Sequence, residues 1–532
     1  MKNIKTKLFL TFAILFFAFG CTDDLNTEPK GANLTEAQLL KLQPTLAGLV
    51  SKVYSTLALS GPDGPTSTDT KGDDAGESPF LRGIINLQDF TADDMKNRWG
   101  DGGLDPLTTT QNWDNNNKFF RYMYNRIFYT VSQANDAIIR IDALNVSQED
   151  QILSELRFLR ALSYYYLIDC FGKGPIYTEK DAGNSKKQES NRAQLFSFVE
   201  SELLDIEPKL PNFIGYGRAN KMVARMLLAK LYLNANVYTG TPRYNDALTY
   251  SKKIIDEGGY TLAPNFQSLF QADNERSSAK NEIIYALIAD ALISQSYGNT
   301  TYLINGSLND ATMVATNYGN PGGNTNAWAG HRATKAWYGL YGANTAAVEA
   351  STDARSKSFW TNSSDPVLSN RHSYEMNDYK TWTDGFPTTK FRNTNFTGGT
   401  TIAAFANTDF PLFRLADVYL MYAECVIRGG GGSTTLALQY VNDVRSRSNA
   451  TVITASELTL NFMIDERARE LNFEGHRRSD LIRFGKFTGG SYLWPWKGGV
   501  QNGTSISADY NLFPIPLKAI QVNPNLTQNP GF

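Results

Sequence analysis

Apolar residues recur at i, i+3 and i+4 along five stretches of the 532-residue chain, 119–143, 150–171, 193–207, 220–238 and 244–257, and that spacing predicts amphipathic helices. The second stretch stops at Gly172-Lys173-Gly174-Pro175 and the fifth at Gly258-Gly259, both helix terminators. Short links between such helices predict antiparallel pairs. Residues 229–260 read as two helices with an Ala/Tyr seam across a tight turn, in the manner of a tetratricopeptide unit. The period resumes at 412–428, 436–447 and 458–473. Over 60–118 and about 289–410 it gives way to Gly, Asn, Thr and Asp, with many aromatics in the second block. Unpatterned segments of that length are functional or disordered; the aromatics predict order. The expected architecture is mainly α: a scaffold of tetratricopeptide-like helical pairs (about 32–59, 119–288 and 411–487), an irregular loop-rich half carrying a ligand site (about 60–118 and 289–410), and an extended, Pro-rich end (488–532).

The most continuous apolar run lies at the start and changes the picture of location. Lys2, Lys5 and Lys7 precede an apolar stretch, 8–20, and small Gly20 precedes Cys21. This is the layout of a secretory signal peptide. Thirteen helical residues reach only ~20 Å, too short for a hydrocarbon core of ~30 Å. A small residue directly before a cysteine predicts a bacterial lipoprotein leader, 1–20, removed so that Cys21 carries the lipid. An ordinary signal peptide with an incidental cysteine is the alternative. Removal takes three lysines and no acids, leaving 48 basic against 53 acidic residues on a 512-residue mature chain. That mildly acidic balance, without a basic tract, argues against nucleic acid. Cys170 and Cys425 sit in helical patterns and are expected as buried free thiols rather than a disulfide.

The densest charge is "ERARELNFEGHRRSDLIRFGKF" (466–487). Glu466 with Arg469, and Arg467 with Glu470, lie three apart on a helix and can pair. Gly475 suits a helix end, which would set His476 to Arg478 against the C-terminal dipole. Fold-holding ion pairs are expected here, not a site. His331, His372 and His476 are the only histidines and have no metal-ligand spacing; no HExxH, GxSxG, P-loop or CxxC occurs. A glycosidase needs only two suitably spaced carboxylates, so 53 acids leave that reading open.

A binding reading has more to work with. Sugar rings present flat C–H faces edged by hydroxyls, which suit exposed aromatic planes rimmed by carboxylates, amides or Arg. "GDDAGESPFLR" (72–82) and "FTADDMKNRWGDGG" (90–103) place Asp73, Asp74, Arg82 and Trp99 close in sequence. "SYGNTTYLING" (296–306) and "NAWAGHRATKAWYGLYG" (326–342) add further rings, of which Trp337, Tyr338 and Tyr341 have helical spacing and are expected in the core.

"RFLRALSYYYLIDCFGKGP" (157–175), "LFRLADVYLMYAE" (412–424), the 466–487 segment and the ending "NPNLTQNPGF" (523–532) resemble the SusD/RagB family, outer-membrane lipoproteins of Bacteroidetes. The resemblance spans 21–532 with its motifs in order, as a single domain. It implies capture of oligosaccharides at the cell surface beside a SusC-type TonB-dependent porter, with no catalytic activity and no cofactor; a structural metal stays open. The ligand segments resemble the family's starch-binding founder, where two tryptophans and a tyrosine form an arc and an Asp and an Arg meet hydroxyls. Carried over by motif, Trp99 and Trp328 match the tryptophans, Tyr297 (or Tyr302) the tyrosine, Asp74 the Asp and Arg82 the Arg. Two departures stand out: only Asp101 can replace the founder's amide after the first tryptophan, and the Tyr297–Trp328 loop is longer. Starch-like α-glucan is the leading ligand, laminarin-type β-glucan the second and peptide the third; a structural lid or scaffold for the porter is the competing role. Thr22-Asp23-Asp24 resembles the acidic tag that directs such lipoproteins to the cell exterior.

Overall fold

The computed structural model describes residues 43–144, 148–364 and 371–532. Cys21 and the acidic Thr22-Asp23-Asp24 lie outside the described residues.

The periodic stretches form a stack, numbered here α1 (Lys118–Asp142), α2 (Glu149–Cys170), α3 (Arg192–Ile206), α4 (Lys221–Leu233), α5 (Tyr244–Glu257), α6 (Leu415–Ile427), α7 (Thr434–Arg447) and α8 (Leu460–Leu471). Each of α1 to α6 packs on the next, α7 and α8 both pack on α6, and the helix Gln43–Ala58 lies against α1. Their starts are set by side-chain caps. Asn191 and Gln194 close a reciprocal capping box on α3, and Asn220 Oδ1 accepts from Met222 N and Val223 N on α4. The helical period read through 220–238 breaks at Asn234, after which a short turn Ala235–Thr239 ends at Gly240 in the left-handed region (φ +76°). Cys170 and Cys425 are buried free thiols.

The long excursion after α5 leaves and returns through one ladder. β2 (Ile283–Leu287) pairs antiparallel with β4 (Phe410–Arg414), so the segment between them is closed at its base. A second antiparallel ladder, β1 (Met95–Asn97) with β3 (His331–Ala333), stitches the two irregular blocks together. The 60–118 block also holds a helix that the apolar pattern does not announce, Phe80–Gln88, buried at all nine positions. Its apolar residues, Phe80, Leu81, Ile84, Ile85 and Leu87, do fall at helical spacing opposite Arg82 and Asn86, but nine residues are too short a run to stand out from the loop text around them. The closing segment, expected to be extended, includes a short helix, Leu517–Val522, after Pro516.

The 466–487 charges are internal. Glu470 accepts from Arg414 (2.6 Å), Arg355 (3.0 Å) and Arg447, and Glu474 from Lys390 (2.6 Å) and Arg414 (2.7 Å). The Glu466–Arg469 pair forms at 3.0 Å. The Arg467–Glu470 pair does not: Arg467 bridges Asp417 (2.9 Å) and Asp480 (2.8 Å) instead, because it faces α6. Nor do His476 to Arg478 meet a helix C-terminus. The helix ends at Leu471, and Arg477 opens the next one, Arg477–Arg483, with its charge held by Asp93 (2.7 Å). Burial opposes the ionised form of Asp417, yet the Lys230 and Arg467 cations hold it well below the usual carboxylate range. Burial and then the Lys230 charge pull His476 down to about 3, so it is neutral.

Candidate functional site

The β1–β3 ladder sets the site. Its register is Met95 opposite Ala333, Lys96 opposite Arg332 and Asn97 opposite His331, and Arg98 N then donates to Gly330 O at 3.1 Å. Trp99 and Trp328 therefore leave the same end of the ladder. Trp99 Nε1 donates to Trp328 O at 2.8 Å, and the ring centroids lie 6.2 Å apart at 63°. A Cβ on Gly330 would fall 2.3 Å from Trp99 Cε2, which is why a glycine follows Trp328-Ala329. Trp328 is fixed by its own N donating to Asn305 O (2.7 Å) and its Nε1 to Thr325 O (2.8 Å).

Tyr297 extends the row. Its centroid is 6.2 Å from Trp328 and 5.0 Å from Phe405. Arg82, on the buried helix Phe80–Gln88, docks to the same strand of chain through its N donating to Gly298 O (3.0 Å). Trp99, Trp328 and Tyr297 are all half-buried, so each is held along one side and open along another. They line a cleft of about 650 Å³ together with Asp74, Arg82, Asp101, Glu77 and a wall at Pro65, Thr66 and Thr68.

The polar members differ in how free they are. Asp74 is exposed; its Oδ1 accepts from Gly76 N (2.8 Å) and Glu77 N (2.9 Å), which fixes the carboxylate and leaves Oδ2 open. The Asp101 side chain has no hydrogen-bond or ionic partner among the described residues. Arg82 is 7% exposed, gives one Nη1 bond to Gly76 O (3.0 Å), and lies 3.8 Å from Glu77 and face-on to Tyr302 (4.4 Å). Its Nε has no partner. A cation so desolvated favours a ligand hydroxyl or carboxylate.

Two expected contacts are placed elsewhere. Tyr302 is fully buried and donates to Asn86 Oδ1 at 2.7 Å, so it is the floor beneath Arg82 and not a face of the cleft. The Asp73 backbone borders the cleft, but its carboxylate turns inward to Arg121 (3.2 Å) and Asn125 (2.9 Å), which consume it. Glu77, paired with Lys118 at 2.7 Å, is a lining acid that the sequence reading did not single out. Its position three residues after Asp74 in "GDDAGESPFLR" is the available signal. Trp337 and Tyr338 are core, as expected from their spacing, and Tyr341 is half-buried with its hydroxyl donating to Arg469 O.

Beneath the rings lies His331, 5.2 Å from Trp99 and 4.6 Å from Tyr302. Burial, followed by the Arg82 and Arg332 charges, holds it well below the ordinary range, so it is neutral and no proton donor to the cleft. Among the described residues no cluster of three or more His, Cys, Asp or Glu is set to hold a metal.

The "Starch-binding protein SusD" of Bacteroides thetaiotaomicron is 34% identical to this chain over 523 residues, covering 91% of this chain and 92% of its own. The chain belongs to the SusD family. The family model matches residues 281–532. A SusD-like protein P25 of Formosa agariphila is 25% identical over 552 residues, covering 99% of this chain and 98% of its own. Among solved structures, surface glycan-binding protein A from Bacteroides thetaiotaomicron in complex with laminarihexaose superposes with a TM-score of 0.67 at 20% identity, over 92% of this chain and 99% of that one. A laminarin-binding SusD-like protein gives 0.68 at 19%, with the same coverage. At that identity the likeness establishes the shared mainly α fold alone. SusD-family proteins bind carbohydrate without catalysis, and this chain is read accordingly as no enzyme.

Proposed function

We propose that the cleft captures a curved oligosaccharide, with starch-like α-glucan as the ligand class, and that the protein delivers it to a TonB-dependent porter from a lipid anchor at Cys21 on the outer surface of the outer membrane. The observation that carries the ligand reading is the row of three half-buried rings, Trp99, Trp328 and Tyr297, at 6.2 Å steps along one open cleft. Adjacent rings inclined at 63° and 52° offer a bent platform. A helical glucan can lay consecutive sugar faces on it, with hydroxyls directed at Asp74, Asp101 and Arg82. The relative at 34% identity named for starch favours the α-linked chain. Support for the anchor and the surface location is the leader that ends at Gly20-Cys21, and the family itself.

The test is a carbohydrate array with Cys21-free soluble protein, followed by calorimetry on the ligands retained. α-Glucan binding that is lost in the Trp99→Ala, Trp328→Ala double variant, with the folded signal intact, is the expected result. At about 0.5–1.5 kcal/mol for each ring, losing two lowers the affinity by about fivefold to a hundredfold or more. No glycan bound, or binding indifferent to both changes, defeats the capture reading. Retention of laminarin alone replaces α-glucan by β-glucan.

A further inference from the structure

The row of rings does not stop where the cleft stops. Trp99, Trp328 and Tyr297 line the cleft; Phe405, outside that lining, packs on Tyr297 with centroids 5.0 Å apart at 44°. Tyr297 touches Trp328 at 6.2 Å on one side and Phe405 on the other, and among the described residues no ring contact joins Trp328 to Phe405. Tyr297 therefore stands between them. The order Trp99, Trp328, Tyr297, Phe405 is a line with one more ring than the cleft encloses.

One short helix, Thr300–Gly306, sets the last three of these rings. Tyr297 comes just ahead of its Asn299 cap, whose side chain accepts from Thr301 N (2.9 Å). Asn305, buried, accepts from Trp328 N through its O (2.7 Å) and donates through Nδ2 to Ala404 O (3.3 Å). Thr301 Oγ1 accepts from Ala406 N (3.0 Å), so both chain neighbours of Phe405 are bonded to that helix. Buried Asn393 closes the other side: its Nδ2 donates to Phe405 O (3.2 Å) and its Oδ1 accepts from Asn407 N (2.8 Å). A backbone held at every residue from 404 to 407 fixes the ring before any ligand arrives.

A ring that served only to brace Tyr297 would be covered. Phe405 is half-buried instead, and the half-buried residues before it, Ala403 and Ala404, put only methyl groups beside it. The Tyr297 hydroxyl and the backbone N–H groups of Ala404 and Phe405 have no hydrogen-bond partner among the described residues. An open ring face next to unused donors is what a sugar ring with its hydroxyl edge requires.

We propose that Phe405 is an outer subsite of the glycan site, taking the sugar beyond the one on Tyr297, and that it makes the protein select for chain length. The proposal rests on the reading of the cleft as a glycan site. Its contribution arises only when a ligand is long enough to pass Tyr297.

The experiment measures affinity by calorimetry along the maltooligosaccharide and laminarioligosaccharide series, on the full chain carrying Cys21→Ser. In the wild-type chain affinity should climb with length, with a final gain of about two- to tenfold for the added ring. Phe405→Ala should remove that final gain and leave the shorter ligands bound as before. Phe405→Leu, which keeps an apolar contact on Tyr297 without a flat face, should do the same with the fold undisturbed. An equal loss for short and long ligands in both variants overturns the subsite, because Phe405 then acts only by supporting Tyr297. Affinities unchanged at every length overturn it as well, and both results leave the cleft reading standing. Trp99→Ala with Trp328→Ala reports on the cleft separately, through the shorter ligands. A wild-type chain that binds no member of either series defeats the cleft and the outer subsite together.

Discussion

The α6–α8 interior and the cleft are built from the same side chains, carboxylates, arginines and aromatic rings, yet in one of them every charge is answered by the chain itself. Glu470 meets three arginines, Glu424 is gripped by Arg483 (2.7 Å) and Arg428 (2.7 Å), and Asp417 meets Lys230 and Arg467. In the cleft, among the described residues, Asp101 has no side-chain partner, Asp74 keeps one oxygen free and Arg82 keeps an unpaired Nε. The difference teaches where to look for function in a chain rich in charge. A dense cluster that satisfies itself is architecture, and a sparse one held rigid but incompletely paired is a site.

Breaking the closed side should have the largest effect. Glu470→Gln leaves Arg355, Arg414 and Arg447 converging on a neutral amide in a fully buried position. Removing one member of a buried ionic cluster costs about 3–5 kcal/mol. Chemical denaturation should show that loss; a change below about 1 kcal/mol would mean that the network contributes little beyond placing α8 against α6.

That stretch also shows how much of the molecule was legible in its sequence. The helices were, because a stacked helix with one wet face writes a 3.6-residue period, and 466–487 announced ion pairs by composition. Their partners were not: Arg467 chose Asp417, fifty residues upstream, over its helical neighbour Glu470, and local spacing carries no information about that. The helix Phe80–Gln88 carries a helical period, but over only nine residues within a loop-like block. At the site, Trp99, Trp328, Tyr297, Asp74, Arg82 and Asp101 could be named from motif resemblance, and the fold brings them to one cleft. Resemblance matched Asp74 to the Asp and put Tyr297 ahead of Tyr302, but did not say what turns these two outward and their neighbours in. That is decided by Arg121 and Asn125, which take Asp73, and by Asn86, which takes Tyr302.

A middle case sharpens the contrast, because it is buried yet incompletely paired: neither Asp94 Oδ1 nor Oδ2 has a hydrogen-bond partner among the described residues. Asp93 is answered by Arg477, whereas burial and then the Asp93 charge push its neighbour Asp94 up to about 7. Asp94 O accepts from Thr334 N, just past the ladder that carries both tryptophans. An acid whose folded pKa is raised keeps its stability below its unfolded value near 4 and loses it as pH rises toward 7. Asp94→Asn removes that loss. Its stability relative to the wild-type chain should therefore increase between pH 4 and 7 by about 3 kcal/mol and level off above. Buried His372 and Asp409 also titrate in this window but are common to both chains and cancel, whereas Asp89, pushed up by burial and by Asp94 itself, does not, so the difference reports the Asp89–Asp94 pair. A flat difference across the window would show that Asp94 is ionised in the folded chain.

The smallest effect tests the boundary between the two regions. Tyr302 touches Arg82 from below and Arg82 touches the cleft, so a single residue belongs to the architecture by contact and to the site by proximity. Tyr302→Phe keeps the ring under the guanidinium and deletes only the hydroxyl bonded to Asn86, whose Oδ1 then lies buried with no donor. Stability should fall by about 1 kcal/mol. Glycan affinity should stay within about twofold, since the face that carries Arg82 is unchanged. If affinity instead fell tenfold with stability intact, the hydroxyl would be reaching ligand, and the floor of the cleft would lie one layer deeper than Arg82. The same pair of measurements on Asp101→Asn should give the opposite pattern, weaker binding without a change in stability, because no described residue makes a hydrogen bond or ion pair with that carboxylate.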